Sequence, residues 1–356
     1  MTNRTAQGRA ARGRLAALGI TAALVLTACG GGSDDTSEGG DSDLGDVTVQ
    51  LSWVKNAEFA GEFFAEENGY FADAGLGTVT LVPGPGATEN LVASGEADFG
   101  TANAVSTGQV IAEEGAPLKI VGSKFQRNPF TILSLTDGAD IATPEDLVGK
   151  TIGVQPGGNE ALFSALLEVN DIDEADVETV PVEYDPSPLV DGEVDGFFAY
   201  VTNESITVEE LGHEVTNLLL NDNGLPFVAE AIIATDETIS ERPEVVKAYL
   251  EASIRGWQDA LADPDEGARL AVEVYGKDLD LDMTKEARQA EIQNELVLTD
   301  DVEQNGLFTI TDQLMNESID SLARAGIEVT VDDLFDLSLL EELLEEQPEL
   351  RSITAS

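Results

Sequence analysis

His213, in EELGHEV, is the only histidine of the chain, and Cys29 is its only cysteine. A hydrolytic triad needs an imidazole held beside its nucleophile, and His213 falls in an acidic loop. A zinc centre needs several thiolate or imidazole ligands, more than one of each can supply. The alternating acids Asp278, Asp280 and Asp282 of DLDLDMT lack the glycine and closing glutamate of a calcium loop, so they read as surface charge. The expectation is a protein with no catalytic residue, no metal and no cofactor.

Other residues have types suited to binding. GPGATEN, with Gly84 and Gly86, and QPGGNEA, with Gln155, Gly157, Gly158 and Asn159, are glycine-rich turns from strand to helix. They are too short for a phosphate-loop signature, yet each offers backbone N–H groups at a helix start. Trp53, Phe59, Tyr184 and Tyr200 could present flat apolar faces, and a ring stacked on one gains roughly 1–3 kcal/mol. Each of the four also has an ordinary core reading. Glu204, in YVTNES, could accept from a ring amino group with Asn203 pairing beside it, or could be a solvated loop acid. Glu58 and Asn103 fall on comparable turns, and Asn56 shapes the turn that would present Trp53. Only Lys55, Lys124 and Arg127 lie in segments that could face such a site. That balance favours a neutral or cationic aromatic heterocycle over an oxyanion.

These residues follow strands that alternate with helices from Asp46 onward: VTVQLSW, TVTLVP, ADFGTA, LKIVG, then TIGV, VETVPV and VDGFFAY. Alternation of this kind predicts α/β lobes with largely parallel sheets, and ligands of such sheets bind beyond the carboxyl ends of the strands. SGEADFG and DGEVDGF share Gly-Glu-x-Asp, once in each series. Asp98 and Asp195 are read as serving the starts of their strands. The expected division is a first lobe over 46–135, a second over 136–228, and a return to the first lobe with C-terminal helices over 229–356.

Ahead of the lobes, Arg4, Arg9, Arg12 and Arg14 precede the apolar LAALGITAALVLTA, which is too short for a permanent span. LTAC, Leu26 to Cys29, matches a bacterial lipobox. The reading is a signal peptide over 1–28, lipid on Cys29, and a disordered tether over 29–45. The formal net charge of −51 excludes nucleic acid as a partner and fits a solvated, self-repelling surface such as salt adaptation favours.

The segments LSWVKNAEFAGEFFAEENGYFADAGL, PGPGATENLVASGEADFG, EDLVGKTIGVQPGG, DGEVDGFFAYVTNES and RPEVVKAYLEASIRGWQDAL, with the tail GIEVTVDDLFDLSLLEE, resemble solute-binding lipoproteins of bacterial ABC importers. The branch is the one related to sulfonate, nitrate and taurine binders that includes thiamine-pyrimidine precursor binders. The resemblance implies a type II periplasmic-binding-protein fold, with two α/β lobes around a hinged cleft and C-terminal helices returning to the first lobe. It also implies an extracytoplasmic, lipid-anchored monomer that hands a small heterocycle to an ABC permease. Pyrimidine binders carry a tryptophan, an asparagine and often a histidine before a helix glycine. Trp53, Asn56 and Gly61 match, while Glu58 and Phe59 stand where the histidine-containing form differs. A related branch with a similar FAG helix start is associated with riboflavin, and sulfonate, nitrate or taurine remains a third ligand class. The same superfamily contains a pyrimidine-synthesising enzyme with an active-site histidine and an iron-associated cysteine cluster, neither of which this chain carries.

Overall fold

A computed structural model of the protein describes residues 44–353. The expected signal peptide, Cys29 and all but the last two residues of the expected tether lie outside the described residues.

Two five-stranded sheets share one plan. The first runs β2 (Val79–Val82), β1 (Val47–Gln50), β3 (Phe99–Ala102), β10 (Ala229–Thr235), β4 (Leu118–Phe125). The second runs β7 (Glu178–Pro181), β6 (Thr151–Val154), β8 (Gly196–Tyr200), β5 (Phe130–Leu135), β9 (Val215–Leu219). In each sheet the first three strands are parallel and the fourth is antiparallel to both neighbours. Helices cover the sheet faces, which is why strands such as β3 and β10 are buried along their whole length. This is the two-lobed type II periplasmic-binding-protein arrangement.

The repeated Gly-Glu-x-Asp phrase does the same work in both lobes. Asp98 accepts from the Thr48 backbone N–H at 2.8 Å, and Asp195 from that of Thr151 at 2.9 Å. The backbone N–H groups of the two aspartates return the contact, to the carbonyls of Thr48 and Thr151 at 2.9 and 2.8 Å. Each aspartate thus ties the start of the third parallel strand to the start of the first.

One boundary differs from the expectation. β5 pairs with β8 and β9, so the chain enters the second sheet between Phe125 and Phe130, upstream of residue 135. An apolar run such as FTILSL fits either sheet, and pairing partners decide which it joins. The return runs between β9 and β10, and the two connections are tied where Asn128 Nδ2 donates to the Leu225 carbonyl at 2.9 Å.

The helix Pro243–Ala262 lies against Ala60–Glu67 in the first lobe. Gly61 and Gly256 make the approach possible: a Cβ on Gly256 would stand 2.1 Å from the Gly61 carbonyl oxygen, and one on Gly61 2.1 Å from the Trp257 ring. The helix Ser338–Glu346 packs on Pro243–Ala262, so C-terminal helices do return to the first lobe. Met283–Val297 also reaches Glu204–Glu210 in the second. No helix among the described residues is long and apolar enough to cross a membrane.

Candidate functional site

The carboxyl ends of the parallel strands in both sheets open into one cleft with a cavity of about 250 Å³. Ser52 and Trp53 enter it after β1, Gly86 and Glu89 after β2, Asn103 and Ser106 after β3. Opposite them stand Asn159 after β6, Tyr184 after β7, Tyr200 at the end of β8, and Asn203 and Glu204 after it. The antiparallel strands reach the same edge with their amino ends, which brings in Phe130 of β5 and Glu230 of β10.

Aromatic rings frame the space from both lobes. Trp53 meets Tyr184 edge-on, with ring centroids 5.2 Å apart, so the two rings face each other across the mouth. Deeper, Tyr200 stands edge-on to Phe130 at 4.6 Å. Glu58, Glu89, Glu204 and Glu230 also line the cavity, and among the described residues no lysine, arginine or histidine does.

The floor is a buried charge cluster. Lys124, fully buried on β4, lies 3.0 Å from Glu62 and 3.7 Å from Glu230. Burial pulls its ammonium pKa down, but the carboxylates of Glu62, Glu230 and Glu58 outweigh that and raise it. The Ser52 hydroxyl donates to both oxygens of Glu230, at 2.9 and 3.1 Å. Burial, then the charge of Glu230 and a hydrogen bond with it, push the Glu58 carboxyl well above the usual range. Lys124 and Lys285 oppose this without cancelling it. Glu230 holds a left-handed backbone with φ +45°, uncommon for a residue with a side chain.

On the opposite wall, Glu204 accepts from the Tyr200 backbone N–H at 2.8 Å and from Asn203 Nδ2 at 2.9 Å. Burial raises its pKa, and those hydrogen bonds pull it back in part. Asn203 Oδ1 in turn accepts from Lys285 Nζ at 2.7 Å. A carboxylate has about four lone-pair sites, so Glu204 retains capacity for a ligand donor.

Several expected site residues lie elsewhere. Phe59 is fully buried in the first-lobe core, with Lys124 Nζ 5.2 Å from its ring centre, so it offers no face to the cleft. Asn56 is buried too: it accepts from the Glu58 N–H at 3.2 Å and holds the short turn that carries Glu58. Gly84 sits behind the lining, donating to the Trp53 carbonyl at 2.8 Å, with no room for a Cβ against the Ser52 carbonyl. Gln155 is buried, donates to the Phe198 carbonyl at 3.0 Å, and accepts from Asn159 at 2.9 Å. It therefore positions Asn159 from behind. Gly157 and Gly158 do not line the cavity, and the Gly157 N–H is taken by Glu160. Asp98 and Asp195 serve the strand starts, and His213 lies in the turn after the helix Glu204–Glu210. Of the three cations considered, Lys124 is sealed beneath the floor, Arg127 pairs with Asp222, and Lys55 is not part of the lining.

The residues missed are chiefly Glu230, Phe130, Ser52, Thr101 and Ser106. Glu230 had a signal: it is the one charged residue in the strand AEAIIAT, where burial of a charge requires a partner. Phe130 had none, because its access depends on β5 running antiparallel.

The NMT1/THI5 like family matches residues 56–267. The chain belongs to this family. A riboflavin-binding protein from Chloroflexus aurantiacus is 28% identical over 88% of this chain and 93% of its own length. A formylaminopyrimidine-binding protein from Halalkalibacterium halodurans is 28% identical over 69% of this chain and 74% of its own. Among solved structures, the alkanesulfonate-binding protein of Xanthomonas axonopodis pv. citri bound to MOPS superposes with a TM-score of 0.61 at 16% identity, covering 82% of this chain and 98% of that one. That likeness speaks for the fold. The NMT1/THI5 like match includes Glu58, Glu204 and Glu230, so the acidic lining of the cleft falls inside the family region.

Proposed function

We propose that this protein is an extracytoplasmic solute-binding protein of an ABC importer, and that its cleft captures a thiamine-pyrimidine precursor of the hydroxymethyl- or aminomethylpyrimidine type for delivery to a permease. The observation that carries the reading is the lining: aromatic rings from both lobes and four carboxylates, with no basic side chain among the described residues. Such a surface accepts a flat ring with N–H donors and repels an oxyanion. Trp53, Tyr184 and Tyr200 supply ring faces, Glu204 and Glu230 can accept from an amino group on the ring, and Glu58 stands beside Glu230 in the same lining. Asn103, Asn159 and Asn203 complete the polar rim, and Gly86 lets the backbone approach. The relative named for formylaminopyrimidine supports this class of ligand.

Riboflavin is the second reading, favoured by the relative that matches over nearly its whole length. The cavity of about 250 Å³ lies under the usual range of roughly 300–1,000 Å³ for ligand pockets, which suits one ring better than three. The two relatives named as binding proteins favour a binding role over a synthase role. Lipid on Cys29 holds the protein, as a monomer, at the outer face of the membrane, and Cys29→Ser should release it or leave it uncleaved.

Thermal unfolding of the purified protein with 4-amino-5-hydroxymethyl-2-methylpyrimidine, riboflavin or taurine tests the ligand. A ligand at a hundred times its Kd adds about 2.7 kcal/mol to the native state. The pyrimidine should raise Tm and taurine should not. Stabilisation by riboflavin alone would move the ligand to the second reading, and stabilisation by taurine alone would end the heterocycle reading.

A further inference from the structure

Three carboxyl groups, Glu58, Glu62 and Glu230, surround the buried ammonium of Lys124. Glu62 takes the close contact at 3.0 Å, Glu230 the longer one at 3.7 Å, and neither leaves Lys124 free to neutralise Glu58. Glu58 and Glu230 are 4% and 3% exposed, and both face the cavity. They come from different elements, the short turn Ala57–Phe59 and β10, and line one end of the same cavity above Lys124. Three buried carboxyl groups around one ammonium carry more negative charge than Lys124 offsets, and the economical solution is one proton held on the Glu58 side of the cluster.

Resting on the heterocycle reading above, we propose that Glu58 and Glu230 form a one-proton carboxyl pair that determines ligand specificity by reading a ring edge with an N–H donor beside an acceptor nitrogen. A 4-aminopyrimidine presents such an edge. In the empty pair the proton bridges Glu58 and Glu230. On binding, Glu58 turns that O–H to the ring nitrogen, and the amino group donates to the acceptor position vacated on Glu230. One hydrogen bond is exchanged for two, and the proton count is unchanged. A ligand that arrives already protonated forms the same complex with the pair ionised. The complex therefore contains one proton shared between ligand and pair, whichever side brings it.

The surrounding groups are consistent with a proton retained here. Lys124 from β4 and Lys285 from Met283–Val297 favour the ionised form of Glu58, while burial and Glu230 oppose it and prevail. Glu62 from Ala60–Glu67 is engaged with Lys124, and Glu286 accepts from the Ala57 N–H at 2.7 Å. Tyr200 from β8 is pushed well above the phenol range by burial and by Glu230, Glu58 and Glu204, so it stays neutral. Glu204, across the cavity, accepts from the Tyr200 backbone and from Asn203, and Tyr184 stands at the mouth.

Calorimetric titration with 4-amino-5-hydroxymethyl-2-methylpyrimidine from about pH 5 to about pH 9, the range in which raised glutamates titrate, tests the pair. Wild-type affinity should fall on the alkaline side, approaching about tenfold per pH unit once the pair loses its proton. Glu58→Gln cannot titrate, so whatever affinity it retains should show no alkaline fall. Glu230→Gln should flatten the profile as well, and circular dichroism verifies that each variant is folded. 2-Methylpyrimidine, which lacks the amino group, should bind at least about tenfold more weakly, as a polar site rejects an analogue that leaves it unpaired. A wild-type affinity independent of pH, an unchanged alkaline fall in folded Glu58→Gln, or equal binding of 2-methylpyrimidine overturns the pair while leaving the heterocycle reading in place. No binding of the aminopyrimidine by the wild type at any pH overturns the pair together with the pyrimidine reading, and riboflavin binding in the same titration would leave the heterocycle reading standing.

Discussion

Trp53 and Trp257 place the same side chain in opposite surroundings. Trp257 is fully buried against Gly61, whereas Trp53 is partly exposed at the cleft mouth beside Tyr184. Trp53→Ala is predicted to weaken ligand binding by roughly 1–3 kcal/mol, about five- to hundredfold in Kd, with little change in the denaturation midpoint. Trp257→Ala is predicted to cost about 3–5 kcal/mol of stability instead. Titration and urea unfolding of the two variants side by side separate a stacking face from a core residue. Glu58 adds a pH dependence to the empty protein. Its folded carboxyl binds a proton more tightly than the unfolded one, because burial and Glu230 raise its pKa. Stability from this group is fully present below the ordinary glutamate range and is lost as pH rises through the raised value. Urea midpoints measured against pH should therefore fall on the alkaline side, and Glu58→Gln should reduce the slope. Glu204, raised by burial as well, leaves a remainder of the same sign.

At the scale of elements, the crossing of Ala60–Glu67 with Pro243–Ala262 is set by two glycines. A Cβ on Gly256 would meet the Gly61 oxygen at 2.1 Å and the Ala65 nitrogen at 2.8 Å, both backbone atoms that cannot move aside. Gly256→Ala is predicted to destabilise the protein by about 1–3 kcal/mol, the usual cost of overpacking, which a denaturation midpoint measures. Ala60–Glu67, which carries Glu62 and continues the turn that bears Glu58, would shift with it, so ligand affinity should fall in the same variant. Met283–Val297 joins the lobes differently. Lys285 reaches Asn203, and Arg288 pairs with Glu209 at 2.6 Å, both on or beside Glu204–Glu210. Exposed pairs of this kind contribute about 0–1 kcal/mol, enough to bias the lobes together but not to lock them.

For the whole molecule, 69 acidic against 18 basic residues make self-repulsion a standing cost of the folded state. Added salt screens it, since the Debye length shrinks from about 10 Å at 0.1 M to about 3 Å at 1 M. Tm is predicted to rise by several degrees over that range, measured with chloride salts so that specific ion effects stay small. Ligand closure belongs to this scale too. Two connections near 126–129 and 220–228 join the lobes, and the mouth is spanned by Trp53 and Tyr184. Small-angle scattering should show a smaller radius of gyration at saturating ligand, and an unchanged value would count against a hinge.

Local pattern determined the α/β class, the two series of strands, the strand-tying role of Asp98 and Asp195, and the turns that end in Trp53, Asn103, Tyr200 and Glu204. Each depends on neighbours close in sequence, on alternation and turn chemistry, or on a short motif read twice. The tertiary structure alone decided the sheet to which β5 belongs, because an apolar run pairs equally well with either partner until the chain is folded. It also decided that Phe59 turns inward while Glu58, its neighbour, faces the cleft: adjacent residues on a short helical turn point apart, and no composition signal says which way the turn is rolled. Glu58, Glu230, Glu62 and Lys124 are separated by as much as 168 to 172 residues of chain between β10 and the first turn. Their meeting, and the proton it retains, depends on a strand returning antiparallel into a sheet begun long before.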